Sequence, residues 1–155
     1  MININPPIKL DHLKALTDDT GILQHTKYSI PNRKEGYTID DNTRALVACI
    51  KFLRLHDDSD VRKLADTYLS FLFHMQRPDG KFHNLLSYDR HFLDDVGSED
   101  SMGRSLWACG YTISSNLSEG SKTTSKEIFD KGFPHASNFR SLRAKAFTVL
   151  GLCNY

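Results

Sequence analysis

The sequence predicts an all-α fold built of helical hairpins. Apolar residues recur at three- and four-residue steps through several long segments, most clearly Val61, Leu64, Ala65, Tyr68, Leu69, Leu72 and Met75, which is the pattern of one helix face. No alternating run of useful strand length stands between the turn signals. Hydrophobic residues make up 39% and charged residues 25% of 155 residues, a globular balance in a chain of single-domain size.

The elements follow in order. Residues 8–16 form a short helix with Ile8, Leu10, Leu13 and Leu16 on one side. Residues 17–40 hold Gly21, Pro31 and Gly36 and no sustained period; an irregular stretch of that length inside a compact domain is usually functional. Helix 42–55 is capped by Asp40 or Asp41 and buries Ala45, Leu46, Cys49, Ile50 and Leu53. The charged turn His56-Asp-Asp-Ser-Asp60 leads into helix 61–76, which Arg77-Pro-Asp-Gly80 ends. Residues 81–97 are again irregular. Helix 100–114 turns Leu106, Trp107, Cys109, Gly110 and Ile113 inward. Residues 116–124 read as a polar loop, 126–131 as a short helix ending near Gly132 and Pro134, and 138–152 as the last helix.

An internal echo links two of these helices. Asp41-Asn-Thr-Arg44-Ala-Leu-Val-Ala-Cys49 resembles Asp100-Ser-Met-Gly-Arg104-Ser-Leu-Trp-Ala-Cys109, with one residue more between acid and arginine in the second. Arg143-Ala-Lys-Ala-Phe147 reads as a weaker third copy. A repeated helix start suggests stacked hairpins. Small residues such as Ala45, Ala48, Ser105, Ala108 and Gly110 suit an inner wall of closely approaching helices, and the bulkier helix 61–76 suits an outer ring.

Charge and composition exclude several classes. Lys plus Arg is 20 and Asp plus Glu is 19, so no bulk electrostatic case exists for nucleic acid or an anionic membrane. No apolar run approaches the roughly 20 residues of a bilayer span, and residues 1–7 lack a signal-peptide pattern. Cys49, Cys109 and Cys153 sit among apolar neighbours without a C-x-x-C pair and read as buried reduced thiols, which points to a cytoplasmic protein. The histidines form no close metal pair and no nucleotide-binding motif occurs, so no metal or cofactor is expected.

Acids gather in loops that precede helices: Asp18 and Asp19; then Glu35, Asp40 and Asp41; then Asp94, Asp95, Glu99 and Asp100. Stacked hairpins would bring these loops to one rim. Two carboxylates there can do glycoside chemistry, one donating a proton to the leaving oxygen and the other activating water or attacking the anomeric carbon. The bland alternative is a set of helix caps and ion pairs. Asp41 and Asp100 are the expected catalytic pair, with Asp19, Glu35, Asp40 and Asp95 in reserve. Gln24, His25, Tyr37, Asn42, Arg44, Arg104 and Trp107 are expected to bind substrate; Asn84, outside that set, is of a type that binds hydroxyls. Asp100→Asn is expected to abolish sugar turnover with little loss of fold.

The loops also carry a resemblance. Thr17-Asp-Asp-Thr-Gly-Ile-Leu-Gln-His25, Pro31 and Glu35-Gly-Tyr-Thr-Ile-Asp-Asp-Asn-Thr-Arg-Ala-Leu46 resemble the helical domain of bacterial proteins described as glycosyltransferases, where it often follows a GT-B-type transferase. Gln76-Arg-Pro-Asp-Gly-Lys-Phe82 and Asp100-Ser-Met-Gly-Arg-Ser-Leu-Trp-Ala-Cys-Gly110 are similar to later motifs of that domain, so the likeness covers about residues 10–110. The resemblance implies an (α/α)6-toroid-like domain akin to six-hairpin glycosidases and, less directly, carbohydrate metabolism. A complete toroid takes about twelve helices and on the order of 300 residues. Residues 1–155 are therefore expected to be one partial toroid domain, its N-terminal half. The implied partners are a saccharide, a glycosyltransferase domain or the other half of the toroid. Two alternatives stand beside a glycoside hydrolase-like enzyme: a non-catalytic module that holds a glycan or docks on a glycosyltransferase, and a helical scaffold that binds protein.

Overall fold

A computed structural model describes residues 8–155; the reading of residues 1–7 as free of a signal peptide lies outside them. Helices dominate the described residues. They are α1 (Asp11–Leu16), α2 (Ile39–Leu53), α3 (Ser59–Met75), α4 (Glu99–Ile113), α5 (Glu119–Gly132) and α6 (Leu142–Leu152), with a 3-10 turn at Phe133–Asn138 before α6. The two irregular stretches contain short strands that the sequence did not signal: β1 (Thr26–Lys27) pairs with β2 (Ile30–Pro31), and β3 (Tyr37–Thr38) pairs with β4 (Leu85–Leu86), both antiparallel. Strands of two residues are too short to show alternation.

Each long helix starts on a side-chain cap. Thr38 accepts from the Asp41 amide, Asp58 from Asp60 and Val61, Ser98 from Ser101, Ser118 from Ser121, and Ser141 from Ala144. These bonds satisfy donors that the first turn leaves free. The last helix consequently begins at Leu142 and not near residue 138, because Ser141 supplies the cap while Pro134 and its neighbours close a 3-10 turn.

Helices α2 and α3 form one hairpin and α4 and α5 another. Helix α4 packs against α2 on one side and α6 on the other, while α3 lies on α2 and α5 on α4. Helices α2, α4 and α6 run the same way. At one end Arg104 of α4 reaches Asp40 of α2, and Arg143 of α6 reaches Asp100 of α4. At the other end the Asn116 amide donates to the Leu53 carbonyl at 3.1 Å, and the Ser114 hydroxyl donates to Asn154 Oδ1 at 3.2 Å.

The hairpins repeat at a constant offset. Helices α2 and α4 both have 15 residues, and their starts, Ile39 and Glu99, lie 60 residues apart. The starts of α3 and α5, Ser59 and Glu119, lie the same 60 apart. The echo in the sequence is therefore tighter than its residues suggest. Asp40, not Asp41, is the equivalent of Asp100, so Asp-to-Arg spacing is identical in both copies. Arg143 is not an equivalent of Arg44 and Arg104: it is the second residue of its helix, they are the sixth of theirs.

The core joins the inward faces of the hairpins. Leu46, Ile50, Tyr68, Leu72, Met75, Leu106, Ile128 and Phe129 are all buried. Between α4 and α6 the backbones nearly touch: a Cβ on Gly103 would lie 2.6 Å from the Ala144 carbonyl oxygen, and one on Gly151 2.6 Å from that of Leu106. Only glycine permits that approach. Helix α6 buries Ala144, Thr148 and Gly151 against α4 and leaves Leu142, Val149, Leu150 and Leu152 exposed. Cys49 and Cys109 are buried, as expected; Cys153, expected to be buried too, is exposed at the C-terminal cap of α6. Among the described residues no helix is long and apolar enough to cross a membrane.

Candidate functional site

The N-terminal ends of α2, α4 and α6 share one rim, and a cleft of about 420 Å³ opens there. Its walls include Gln24, Asp40, Asp41, Asn84, Asp100 and Arg104. Segments more than 75 residues apart in sequence meet in it, since Gln24 and Asp100 face the same space.

Local structure fixes each wall. The β3–β4 pair places Thr38 opposite Leu85. The Ile39 amide donates to the Asn84 carbonyl at 2.9 Å, which ties the start of α2 to β4. The Asp94 carboxylate accepts from the amides of Asn84 and Leu85 at 2.8 to 3.1 Å and so holds the segment beside the cleft. Gly36 makes the turn into β3 with φ +66°, where a side chain would strike the Leu86 carbonyl.

Three carboxylates and three guanidiniums set the electrostatics. Asp40 pairs with Arg44 on its own helix and faces Arg104 Nε at 2.5 Å. The second contact is an ion pair and not a directed hydrogen bond, because the buried Nε finds no acceptor in hydrogen-bond geometry. The Asp41 carboxylate accepts from the Thr38 hydroxyl at 2.7 Å while Thr38 accepts from the Asp41 amide at 3.1 Å, a variant of the capping box. Its nearest cation, Arg44, stands 3.9 Å away. Asp100 accepts from the Ser141 hydroxyl at 2.6 Å and from Arg143 Nε at 2.5 Å. The Ser141 hydrogen bond, reinforced by Arg143, holds its carboxyl below the usual carboxylate range.

One buried polar atom in the cleft wall has no partner within the chain: Asn84 Oδ1 has no donor. Arg104 Nε, also buried, is occupied by the Asp40 carboxylate. Arg104 is otherwise held from behind, its guanidinium lying 4.6 Å from the centre of the Phe147 ring.

The structure brings together Gln24, Asp40, Asp41, Asn84, Asp100 and Arg104, and keeps Arg44 beside them through Asp40. Other expected binding residues lie elsewhere. Asn42 is fully buried, accepting from the Ile22 amide at 2.9 Å and donating to the Thr38 carbonyl at 2.8 Å, so it joins loop to helix. Tyr37 is buried and donates to Asp18 at 2.6 Å; burial and that carboxylate raise its phenol above the ordinary range. Asp19 is exposed, pairs with Arg90 at 2.8 Å and lines a separate cavity with His74. His25 and Glu35 are exposed around the β1–β2 hairpin. Glu35 offers its carbonyl to the Gln24 side chain. Asp95 is exposed and its carbonyl accepts from Arg77. Trp107 stacks on Phe147 at 5.4 Å and meets Tyr111 edge-on at 5.8 Å, which is packing between α4 and α6.

Sequence reasoning missed Thr38, Ser98, Ser101 and Arg143 as cleft residues. A signal existed for the first two: Thr38 and Ser98 are the caps of the repeated helices and stand 60 residues apart. Among the described residues no group of three His, Cys, Asp or Glu side chains is placed to hold a metal ion. No protein-family model matches the chain. No curated protein matches it either.

Proposed function

We propose that the chain is a carbohydrate-active domain of the (α/α)-toroid kind and that the rim cleft binds a saccharide. The observation that carries the reading is the unpartnered buried oxygen Asn84 Oδ1, set in a cleft whose carboxylates and guanidiniums offer further acceptors and donors. Leaving such a group unpaired costs roughly 1–3 kcal/mol. A sugar hydroxyl both donates and accepts, so hydroxyls answer an acceptor and a donor in the same cleft. Inner helices flanked by outer partners, repeating every 60 residues, support the toroid reading.

If the bound sugar is hydrolysed, Asp41 and Asp100 divide the work. Asp100, kept anionic by Ser141 and Arg143, suits a base or nucleophile. Asp41, whose nearest cation is 3.9 Å away, suits the proton donor. A second reading, a non-catalytic glycan-holding or transferase-docking module, is favoured by the engagement of every cleft carboxylate: Asp40 by two arginines, Asp41 in a cap, Asp100 at the start of α6.

A glycan array followed by product analysis tests both. Binding that Asn84→Ala weakens supports the saccharide reading, and a wild-type chain that retains no glycan rejects it. Product formation lost in Asp41→Asn with binding retained marks an enzyme. Binding without product marks the module.

A further inference from the structure

A second cavity, of about 240 Å³, flanks the same first turn of α4. Phe82, Val96, Met102 and Phe139 give it an apolar wall. Phe82, Met102 and Phe139 are buried, whereas Val96 is 46% exposed and stands at the mouth. Ser98 lines both this cavity and the rim cleft, and it is exposed, so the ridge between them opens to solvent. Lys81, Glu99, His135 and Asn138 line the second cavity as well, so it is mixed; what sets it apart is the aromatic and thioether wall of Phe82, Met102 and Phe139, which the rim cleft lacks.

Size narrows what fits. An apolar cavity of roughly 150 Å³ accommodates benzene, so 240 Å³ holds one aromatic ring or a short alkyl chain. The other apolar hollow, lined by Phe133, Pro134 and Val149, shares no residue with the rim cleft and cannot serve the same ligand.

We propose that the ligand of the rim cleft is amphipathic: a saccharide whose aglycone, an aromatic ring or short alkyl chain, crosses Ser98 into the second cavity. The inference rests on the saccharide reading and adds the class of glycoside to it. Asn84 and Arg104 meet the sugar; Phe82, Met102 and Phe139 receive the aglycone. Burying a ring in that wall removes apolar surface from water, which favours the aryl compound.

Titration calorimetry with matched methyl and phenyl D-glucopyranosides, D-mannopyranosides and D-galactopyranosides tests it on the intact chain. In the pair that binds, the phenyl member is expected to bind about tenfold more tightly. Val96→Trp, a change at an exposed position, is expected to close the mouth and erase that preference while leaving the methyl glycoside unchanged. Asn84→Ala is expected to weaken both members alike. Equal affinities for methyl and phenyl in the wild type, which needs no variant to fold, overturn the aglycone site and leave the saccharide reading standing. A preference that survives in a folded Val96→Trp chain overturns the site too. Failure of every pair to bind overturns the saccharide reading and the inference together.

Discussion

Asp40 of α2 and Arg104 of α4 face each other at 2.5 Å across the gap between the two helices, and the pair is mostly sheltered, with the arginine side chain 15% exposed. Asp100 and Arg143 repeat the relation one helix further on. Helices α2 and α4 thus each present an acid near the N-terminus, where the helix dipole favours it, and the next helix of the row, α4 or α6, supplies the cation. Removing one partner leaves the other charge half-buried. Arg104→Met is expected to destabilise the fold by about 2 kcal/mol, and Asp40→Asn by less, because Asp40 also holds Arg44. A double-mutant cycle by urea denaturation should return a coupling of about 1 kcal/mol; additive single effects would mean that the two helices are held by packing alone.

The α4–α6 seam makes a sharper demand on volume. A Cβ on Gly110 would collide with the backbone of Gly151. Backbone cannot move aside as a side chain can, so Gly110→Ala is expected to cost about 1–3 kcal/mol. Gly120 is the control: its added Cβ would meet only the Ser118 hydroxyl, at 3.7 Å. Gly120→Ala near the start of α5 is expected to stabilise by about 0.5 kcal/mol through lost unfolded-state entropy. Thermal melting of both variants checks the pair, and a neutral Gly110→Ala would show that the two helices are free to separate.

Much of the fold is legible in the residues, and the gaps have physical causes. Helix α3 announces itself because Val61, Ala65, Tyr68, Leu69, Leu72 and Met75 are large, apolar or aromatic groups at helical spacing, and all are buried. Helix α5 runs Glu119–Gly132, although its first half reads as a polar loop. Its buried positions there are Ser121 and Ser125, which carry no hydrophobic signal; they fit beside α3, where the Ser121 hydroxyl donates to Asp66 at 2.9 Å. The clustering of Asp40, Asp41 and Asp100 at one rim follows from acids at the starts of two parallel, adjacent helices, α2 and α4. The withdrawal of Tyr37 and Asn42 into packing does not, because their partners, Asp18 and the Ile22 backbone, are fixed by a loop whose path no periodicity encodes.

Asp100 has a structural duty that the sequence did not disclose. By holding Ser141 and Arg143 it anchors the start of α6, so Asp100→Asn is expected to loosen the fold as well as alter the cleft. Its folded pKa is depressed, chiefly by the Ser141 hydrogen bond. The resulting stability is present above the unfolded carboxylate value of about 3.9 and is lost as pH falls through the lowered folded value. Urea titrations between pH 2 and pH 6 should show the wild type losing stability below about pH 4 more steeply than Asp100→Asn. Parallel curves would mean that Ser141 and Arg143 favour neither protonation state.

The three thiols divide by position, which gives a test of the core packing without any variant. Burial alone pushes the Cys49 thiol up to about 12, and it raises Cys109 further in the same direction. Thiolate is the reacting species, so both are doubly protected, by inaccessibility and by protonation. Cys153 is exposed at the end of α6. A chromogenic disulfide reagent at neutral pH is expected to titrate Cys153 rapidly in the native chain, with Cys49 and Cys109 following only in denaturant. Fast reaction of all three under native conditions would mean that the packing around Cys49 and Cys109, equivalent positions 60 residues apart, opens on the timescale of labelling.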